Sequence, residues 1–373
     1  MHISRLQLTQ FRNYDALALG FSPAINCLVG ENGAGKTNVL DALHYLSFTR
    51  GFRNTQDQHA IQEGGDFFLN EGQVEKGDLS YQIQCNVVKG KGKKLIVNKD
   101  PLKKMSDHIG RIPMVAILPH DTNLIDGPAA DRRKFVDQLI SQYDPSYLRN
   151  LIQYEKILAQ RNALLKYFGE HGGFDQEQIG LWDMQLIPNG IAIQEARGKF
   201  VEDFLPIFQH YFKAIVSERK NEVPNVRYRP SIKENTEAGW QNQLGAKMEK
   251  DRVNGYSSAG SHRDELIFSI NHQSVRNFGS QGQQKTFVIA LKLAQYQLLE
   301  QQARFSPILL LDDIFDKLDE NRLQHIAHIL DQEIKGQIFI TDTSYDRLMI
   351  AFSESEQREV RFFSVMDGGV AQM

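Results

Sequence analysis

The stretch INCLVGENGAGKTNVLDALHYLSF, residues 25–48, decides the fold. It opens with a short continuous apolar run, which is typical of a strand buried on both faces of a sheet. Residues 30–37, GENGAGKT, then match the G-x-x-x-x-G-K-[ST] pattern of a phosphate-binding loop. Apolar residues at helical spacing follow the loop. A strand, a glycine-containing loop and a helix in this order predict a nucleotide-binding α/β fold.

Each residue type in this loop has a physical task. Gly33 and Gly35 let the backbone curl so that successive N–H groups point inward, and the helix start adds partial positive charge. Lys36 is expected to reach the β- and γ-phosphates and to assist catalysis, while Thr37 offers its hydroxyl to Mg²⁺. The predicted ATP-binding residues here are Gly30, Glu31, Asn32, Gly33, Ala34, Gly35, Lys36, Thr37 and Asn38.

A second part of the predicted site lies far along the chain, in PILLLDDIF, residues 307–315. This apolar strand ends in two acids, and ligands of open α/β sheets bind at the carboxyl ends of strands. We expect Asp312 to hold Mg²⁺, directly or through water, and Asp313 to polarise an attacking water as the catalytic carboxylate. Compact P-loop enzymes place these strands closer together, so a large insertion divides the two halves of one site.

The character of the sequence changes twice along the chain. Residues 1–120 read as strands with one early helix, and they include a hairpin with a lysine-rich tip. Long helical patterns dominate residues 121–255, and α/β texture returns in residues 256–373. We predict an ATPase lobe in two segments, the second carrying the later site motifs, interrupted by a helical lobe.

The overall composition restricts the class of protein. The chain has 373 residues, 41% of them hydrophobic, and a net charge of −3, so any nucleic-acid surface must be local. Cys27 and Cys85 lie in apolar stretches, which predicts free, buried thiols suited to a reducing cytosol. No window approaches the ~18 consecutive apolar residues of a membrane helix. We expect a cytoplasmic protein without a membrane partner.

Two basic clusters are candidate DNA contacts. The hairpin lysines are suited to phosphate contacts, or alternatively to protecting a solvated sheet edge. The other cluster opens a helix, where cations oppose the helix dipole, so either a polyanion or an intramolecular partner would explain it. Neither contains a sequence-reading motif, so we expect recognition of backbone and shape. The candidate residues are Lys89, Lys91, Lys93, Lys94, Arg132 and Arg133.

A second glycine-containing helix start occurs at SQGQ, residues 280–283. Ser280 and Gln283 match the S-x-x-Q capping box, in which each side chain satisfies the other residue's backbone N–H. Gly282 leaves room for an anion to approach the positive end of the helix. We therefore predict a second phosphate-binding helix start, suited to the exposed γ-phosphate side of a nucleotide.

In combination these motifs resemble the ABC-type ATPase heads of the SMC family, and within it the RecF family of bacterial recombination mediators. The resemblance runs through nearly the whole chain in family order, and SQGQQK together with HRDEL, without a coiled-coil arm, is its RecF-specific part. It is carried by QFRNY (10–14), GENGAGKTNVLDALHYLSFTRGFR (30–53), DRRKFVD (131–137), GSHRDEL (260–266), SQGQQK (280–285) and LLLDDIFDKLD (309–319).

The resemblance implies an ABC-type head with a mixed sheet and a head-to-tail homodimer that sandwiches two ATP molecules. Ser280, Gly282 and Gln283 would meet the γ-phosphate held by the other copy, and Asp319 would be the D-loop acid. It also implies ATP-dependent binding of single-stranded, gapped or junction DNA. With RecO and RecR, such a protein promotes RecA loading in DNA repair, replication restart and the SOS response. Asp313 is shorter than the usual glutamate, which predicts weak hydrolysis suited to a switch. The resemblance implies that this hydrolysis depends on DNA.

The chain departs from the family pattern at two further places. Asp342 and Thr343 stand where transporter relatives have a switch histidine, and the Q-loop equivalent LPHD (118–121) has no glutamine, leaving His120 or Asp121.

Two other functions are possible for a P-loop protein: a transporter ATPase and a metabolic kinase. The long interruption and the missing histidine and glutamine argue against the transporter ATPase. The signature and D-loop motifs argue against the kinase.

Overall fold

The computed structural model describes residues 1–52, 56–216, 222–315, 320–352 and 358–373. Its strands are β1 (His2–Phe11), β2 (Tyr14–Gly20), β3 (Ile25–Val29), β4 (Phe67–Lys76), β5 (Leu79–Val88), β6 (Gly92–Val97), β7 (Asp100–Pro101), β8 (Met114–Ile117), β9 (Pro224–Arg229), β10 (Glu265–Ile270), β11 (Gln273–Ser274), β12 (Ile308–Asp312), β13 (Ile338–Asp342), β14 (Val360–Met366) and β15 (Gly369–Gln372). Its helices are α1 (Lys36–Phe48), α2 (Asn123–Asp126), α3 (Ala129–Tyr143), α4 (Pro145–His171), α5 (Gln176–Val216), α6 (Glu237–Asn254), α7 (Val275–Phe278), α8 (Gln281–Gln302), α9 (Glu320–Gln332) and α10 (Tyr345–Ala351).

Contacts between described residues divide the chain into two units. The first contains residues 1–121, 213–216 and 289–373, and the second contains residues 122–212 and 222–288. The lobe division drawn from the sequence, 1–120, 121–255 and 256–373, remains a proposal. By contacts alone, residues 256–288 pack within the second unit.

The first unit is built on two six-stranded sheets. One is antiparallel, in the order β2-β1-β4-β5-β6-β7, and the predicted hairpin is confirmed because β5 pairs with β6. The other has the order β15-β14-β3-β13-β12-β8, in which only β15 runs antiparallel to its neighbour. The predicted mixed sheet of an α/β fold is therefore confirmed.

Helix α1 packs in the apolar core of the first unit. Its residues Leu40, Leu43 and Leu46 are fully buried, as the helical spacing in the sequence predicts. A Cβ atom on Gly72 of β4 would lie 2.3 Å from Cδ1 of Leu46. Glycine at that position thus lets α1 lie directly against the antiparallel sheet. Because α1 begins at the glycine-containing loop, this packing fixes the direction in which the loop's helix points.

The cysteine prediction is also confirmed. Cys27 and Cys85 are free and fully buried in the core of the first unit. Burial raises the pKa of each thiol to about 12. Among the helices of the described residues, none combines the length and apolar content that a membrane crossing requires.

The second unit contains the predicted long helices, and buried ion pairs hold them together. The Arg197 guanidinium of α5 contacts Asp137 at 2.9 Å and Asp264 at 2.9 Å. The fully buried Arg161 of α4 contacts Asp183 at 2.6 Å and Asp251 at 3.2 Å. Removing either arginine would leave two carboxylates without their cationic partner, which costs roughly 3–5 kcal/mol.

His262 belongs to the same polar interior, in the GSHRDEL segment. Its Nε2 lies 3.0 Å from the Ser257 carbonyl oxygen, which can only accept, so Nε2 carries the proton. Its Nδ1 therefore accepts from the Tyr154 hydroxyl at 2.9 Å. Burial, together with the nearby positive charges of Arg263 and Arg133, lowers the pKa of His262 to about 4. The ring is neutral in the folded protein at neutral pH.

This neutral histidine predicts a specific loss of stability in acid. The unfolded chain protonates its histidine near pH 6.5, whereas the folded chain does so near pH 4, so stability falls as the pH drops between these values. At pH 5 the linkage costs about 2 kcal/mol, at 1.36 kcal/mol per unit of pKa difference. The matched variant is His262→Gln, whose amide can reproduce both hydrogen bonds without titrating. Urea unfolding at pH 7 and pH 5 should show wild type losing more stability than the variant. An equal loss in both proteins would contradict the assignment.

Candidate nucleotide-binding site

The carboxyl ends of parallel strands bring the two halves of the predicted site together. In the parallel sheet, Val29 of β3 pairs with Asp342 of β13, and Thr341 pairs with Asp312 of β12. The loop after β3 and the acid at the end of β12 therefore lie at one edge. Thr37 donates its hydroxyl to Asp312, with Oγ1 at 2.9 Å from Oδ1 and 3.0 Å from Oδ2.

The loop backbone is curled in the way that anion binding requires. Gly33 has a φ of 85° and Gly35 a φ of 113°, a region that only glycine occupies without strain. Gly35 is the N-cap residue of α1, and among the described residues no side chain accepts a capping hydrogen bond there. The first-turn N–H groups of α1 and the positive end of its dipole suit an anion.

Lys36 supplies the positive charge inside this curl. It is 4% exposed, and its Nζ donates to the carbonyl oxygens of Gly30 at 2.8 Å and Glu31 at 3.0 Å. Among the described residues, this amine forms no ion pair. Its hydrogen bonds within the described residues go to carbonyl oxygens alone, so the loop as folded fits a phosphate group.

Asp312 is nearly buried and is held by hydroxyl groups. Besides Thr37, Thr341 donates its Oγ1 to Asp312 Oδ1 at 2.8 Å. Burial raises the pKa of Asp312, while these hydrogen bonds and the charge of Lys36 oppose that rise. In the described part of the chain, no group of three or more His, Cys, Asp or Glu residues could hold a metal by itself. The oxygen set fits Mg²⁺, which usually takes few protein ligands beside phosphate and water.

Asp313 has the left-handed backbone conformation, with a φ of 46°. Its N–H donates to Thr341 Oγ1 at 2.9 Å, so one threonine hydroxyl accepts from Asp313 and donates to Asp312. A cavity of about 270 Å³ is lined by Asp313, Asp312, Thr37 and His120, among others. The sequence analysis assigned no role to Thr341. The signal that could have identified it is a polar residue near the end of a buried strand, at the edge of the sheet where ligands bind.

The turn between β1 and β2 supports the loop from the other side. Tyr14 donates its hydroxyl to the Gly35 carbonyl at 3.1 Å, and Asn13 Nδ2 donates to the Ala34 carbonyl at 3.3 Å. Asn38 Nδ2 donates to Asn13 Oδ1 at 2.8 Å. Sequence reasoning noted Asn13 and Tyr14 only as part of a resemblance, because spacing does not reveal a contact between separate strands and loops.

At the Q-loop and switch positions, one residue of each pair is accessible and the other is held in local contacts. His120 lines the cavity, whereas Asp121 contacts Lys292 at 3.2 Å and accepts from the Leu118 N–H. Asp342 is buried, accepts from the Ser344 N–H at 2.8 Å and contacts Arg347 at 3.3 Å. Thr343 is exposed. The carboxylates thus serve the local structure, which leaves His120 and Thr343 as the accessible residues.

The helix start at SQGQ has the predicted capping box. Ser280 N–H donates to Gln283 Oε1 at 2.9 Å, and Gln283 N–H donates to Ser280 Oγ at 3.3 Å. The nitrogen of the Gln283 side-chain amide is engaged as well, because Nε2 donates to the Glu222 carboxylate at 2.9 Å. Gly282 lies in the first turn of α8. The predicted D-loop acid, Asp319, lies outside the described residues.

The two basic clusters differ in accessibility. Lys89, Lys91 and Lys94 are exposed on the β5–β6 hairpin, but Lys93 contacts Asp57 at 2.8 Å and donates to the Thr49 carbonyl. Their role with DNA stays a prediction, now directed at the exposed lysines.

The arginines of the second cluster have partners inside the second unit. Arg132 donates to the carbonyl oxygens of Leu124 and Gly127, both at 3.2 Å. Arg133 donates to the carbonyl oxygen of Asp264 at 2.8 Å. These contacts explain cations at this helix start without a polyanion, and a DNA role for them also stays a prediction.

A family model and two curated relatives point to the same family of proteins. The family described as RecF/RecN/SMC N terminal domain matches residues 2–363. The DNA replication and repair protein RecF of Flavobacterium johnsoniae is 43% identical over 93% of this chain and 95% of its own length. RecF of Cytophaga hutchinsonii is 39% identical over 100% of this chain and 97% of its own length.

Solved structures give the same result. The structure of the recombination mediator protein RecF with ATP in the RecFOR pathway has a TM-score of 0.88 and 28% identity, covering 100% of this chain and 97% of that chain. The Smc head domain of Pyrococcus furiosus, with a TM-score of 0.58 and 14% identity, covers 100% of this chain and 96% of that chain. The latter similarity concerns the fold alone.

Two glycines of the loop make a matched pair for testing its geometry. A Cβ on Gly35 would lie 2.6 Å from both Asn13 Nδ2 and the Tyr14 hydroxyl, whereas a Cβ on Gly33 would meet nothing within 4 Å. Gly33→Ala should therefore cost only backbone strain, about 1–2 kcal/mol. Gly35→Ala should cost more and displace the β1–β2 turn. Urea unfolding without nucleotide and titration with a fluorescent ATP analogue would measure both effects. Equal losses in the two variants would contradict the contact geometry.

Proposed function

This chain belongs to the RecF family of DNA replication and repair proteins, and we propose that within it the chain is an ATP-operated DNA-binding switch. In this proposal ATP joins two copies head to tail, the dimer binds DNA, and hydrolysis releases it. The observation that carries the proposal is the Thr37–Asp312 hydrogen bond, which assembles a loop and an acid from opposite ends of the chain into one cavity.

ATP and Mg²⁺ are the proposed cofactors. Lys36 and the first-turn N–H groups of α1 would hold the phosphates, and Thr37 and Asp312 would hold the metal. When bound, the metal would neutralise negative charge on the transferred phosphoryl group. Asp313 would orient the attacking water, and its fixed backbone conformation limits how far the short carboxylate can move. We expect turnover well below the ~10 s⁻¹ typical of enzymes.

The second helix start is the proposed contact to the ATP of the other copy. In the capping box, Ser280 Oγ accepts from the Gln283 N–H, which leaves its hydroxyl proton available for an incoming phosphate oxygen. Gly282 keeps the approach open, and the positive end of α8 favours the anion. The assignment to the other copy rests on the family resemblance, as does the role of Asp319.

DNA recognition is proposed for the exposed lysines of the β5–β6 hairpin. The family relationship supports the finer part of the proposal: binding at single-stranded, gapped or junction DNA, with RecO and RecR as partners and RecA loading as the result. The same relationship supports a cytoplasmic role in repair, replication restart and the SOS response. The structure of RecF with ATP in the RecFOR pathway supports the placement of a nucleotide with this fold.

Two substitutions would separate nucleotide binding from dimerisation. Lys36→Arg keeps a cation in the loop, so we expect it to retain ATP and dimerise but to hydrolyse poorly. Ser280→Arg places a long side chain at the second helix start, so it should bind ATP yet stay monomeric. Analytical ultracentrifugation with ATP, ADP and no nucleotide would measure the oligomeric state, and phosphate release would measure turnover.

The wild-type chain is the reference for these measurements. It should dimerise with ATP and not with ADP. ATP-driven dimerisation of Ser280→Arg at the wild-type level would remove the argument for a contact with the second copy's ATP. A wild-type chain that stays monomeric with ATP would contradict the proposed switch itself.

Charge reversal of the hairpin would test the DNA surface. Lys91→Glu with Lys94→Glu removes two exposed cations while leaving the Lys93–Asp57 ion pair intact. We expect weaker ATP-dependent binding to duplex DNA and a salt slope reduced by about 0.9 for each lost phosphate contact. The control, Lys166→Glu with Lys250→Glu, changes net charge equally at exposed positions of the second unit. Equal DNA affinity of the two variants in fluorescence anisotropy would show that the hairpin assignment is wrong.

A further inference from the structure

The first unit contains a second cavity whose lining does not overlap with that of the nucleotide site. It measures about 110 Å³ and lies at the ends of β4, β5 and β6. Its walls are apolar, and two cations and a tyrosine complete the lining. The residues are Val74, Lys76, Tyr81, Ile83, Val97, Arg111 and Ile112. We call this cavity the basic pocket.

Three cations and an aromatic ring surround the basic pocket or adjoin it. Lys76 Nζ lies 4.6 Å from the centre of the Phe305 ring, and the Arg304 guanidinium lies 5.8 Å from the same centre. Lys76 Nζ also approaches the Arg111 carbonyl oxygen at 3.5 Å. Arg111 and Arg304 are exposed and Lys76 is half-buried, so an incoming group can reach all three charges.

In the described part of the chain, none of these three cations forms an ion pair. The neighbouring Glu75 points to the other face of β4, where it accepts from Ser4 and Ser80. Burial, followed by the like charges of Arg304 and Arg111, lowers the pKa of Lys76. The cluster therefore costs the folded chain stability, and an anionic partner would relieve that cost.

We propose that the basic pocket binds the C-terminal residue of an acidic partner peptide. The aliphatic side chain of that residue would enter the cavity, and its carboxylate would lie between Lys76 and Arg111. Preceding acidic residues of the peptide would face Arg304. This mode of recognition combines the capture of a terminal carboxylate with burial of one apolar side chain.

The size and chemistry of the cavity favour this occupant over nucleic acid. A cavity of ~150 Å³ holds a benzene molecule, so 110 Å³ suits a leucine, isoleucine or valine side chain better than an aromatic ring or a nucleobase. A phosphate diester would satisfy the cations but would leave the apolar wall of Val74, Ile83, Val97 and Ile112 without a partner.

Fluorescence anisotropy with a labelled peptide, Ser-Asp-Asp-Glu-Val-Leu with a free carboxylate, would test the proposal on the full chain. Three matched peptides separate its parts: one amidated at the C-terminus, one ending in serine and one ending in tryptophan. We expect wild type to bind the first peptide and to bind each of the others about tenfold more weakly or worse. These measurements need no variant, so they do not depend on a substituted chain folding.

A pair of variants then locates the site. Lys76→Met with Arg111→Gln removes both charges while keeping unbranched side chains. The double variant should bind the free-carboxylate peptide about tenfold more weakly or worse. The control, Lys166→Met with Arg149→Gln, makes the same charge change at exposed residues of the second unit and should bind normally.

Three results would overturn the proposal. The first is no binding of the peptide by wild type up to about 1 mM. The second is equal binding of the free and amidated peptides. The third is a Lys76→Met, Arg111→Gln variant that loses affinity for a short DNA duplex but keeps its affinity for the peptide, which would make the cluster a DNA contact. The proposal is independent of the ATP switch, because peptide binding is measured without nucleotide.

Discussion

The hydrogen bond between Thr37 and Asp312 is the interaction on which the nucleotide site depends. The two residues are 275 positions apart, and only the parallel pairing of β3, β13 and β12 brings them within hydrogen-bonding distance. Thr341, on the strand between them, ties the arrangement together. Its hydroxyl donates to Asp312 and accepts from the N–H of Asp313. The metal-binding oxygens and the proposed water-orienting acid are thus positioned by one middle strand.

A second constraint is the shape of the loop that precedes Thr37. Gly35 has to be glycine for two independent reasons: its left-handed backbone, and the Asn13 and Tyr14 side chains that occupy the space of a Cβ. The β1–β2 turn therefore does more than end an antiparallel hairpin. It fixes the carbonyl groups of the loop, so that the N–H groups and Lys36 remain directed at the place for phosphate. The antiparallel sheet contributes to the site through this turn and through its packing against α1.

The second unit uses charge differently. Its buried arginines are matched by aspartates, and Asp264 of the GSHRDEL segment accepts from Arg197, Tyr228 and the Ser231 N–H. Such a network fixes which residues are adjacent more than it adds net stability. In the first unit, by contrast, Lys36 and the cations of the basic pocket lack carboxylate partners among the described residues. That difference is the physical reason for assigning ligands to Lys36 and the basic pocket, and structural roles to the buried arginines of the second unit.

The amino-acid sequence by itself determined the local elements. The glycine-containing loop and its helix, the apolar strand ending in Asp312, the β5–β6 hairpin and the Ser280–Gln283 capping box all follow from short-range patterns, because turns, caps and periodicity depend on near neighbours. The tertiary structure alone decided which distant residues meet. Thr341 and the Asn13–Tyr14 turn at the nucleotide site, Lys93 paired with Asp57, Arg132 and Arg133 held by carbonyl groups, and the basic pocket all depend on strand order and packing. No local pattern records these contacts, since they join segments that are far apart in the chain.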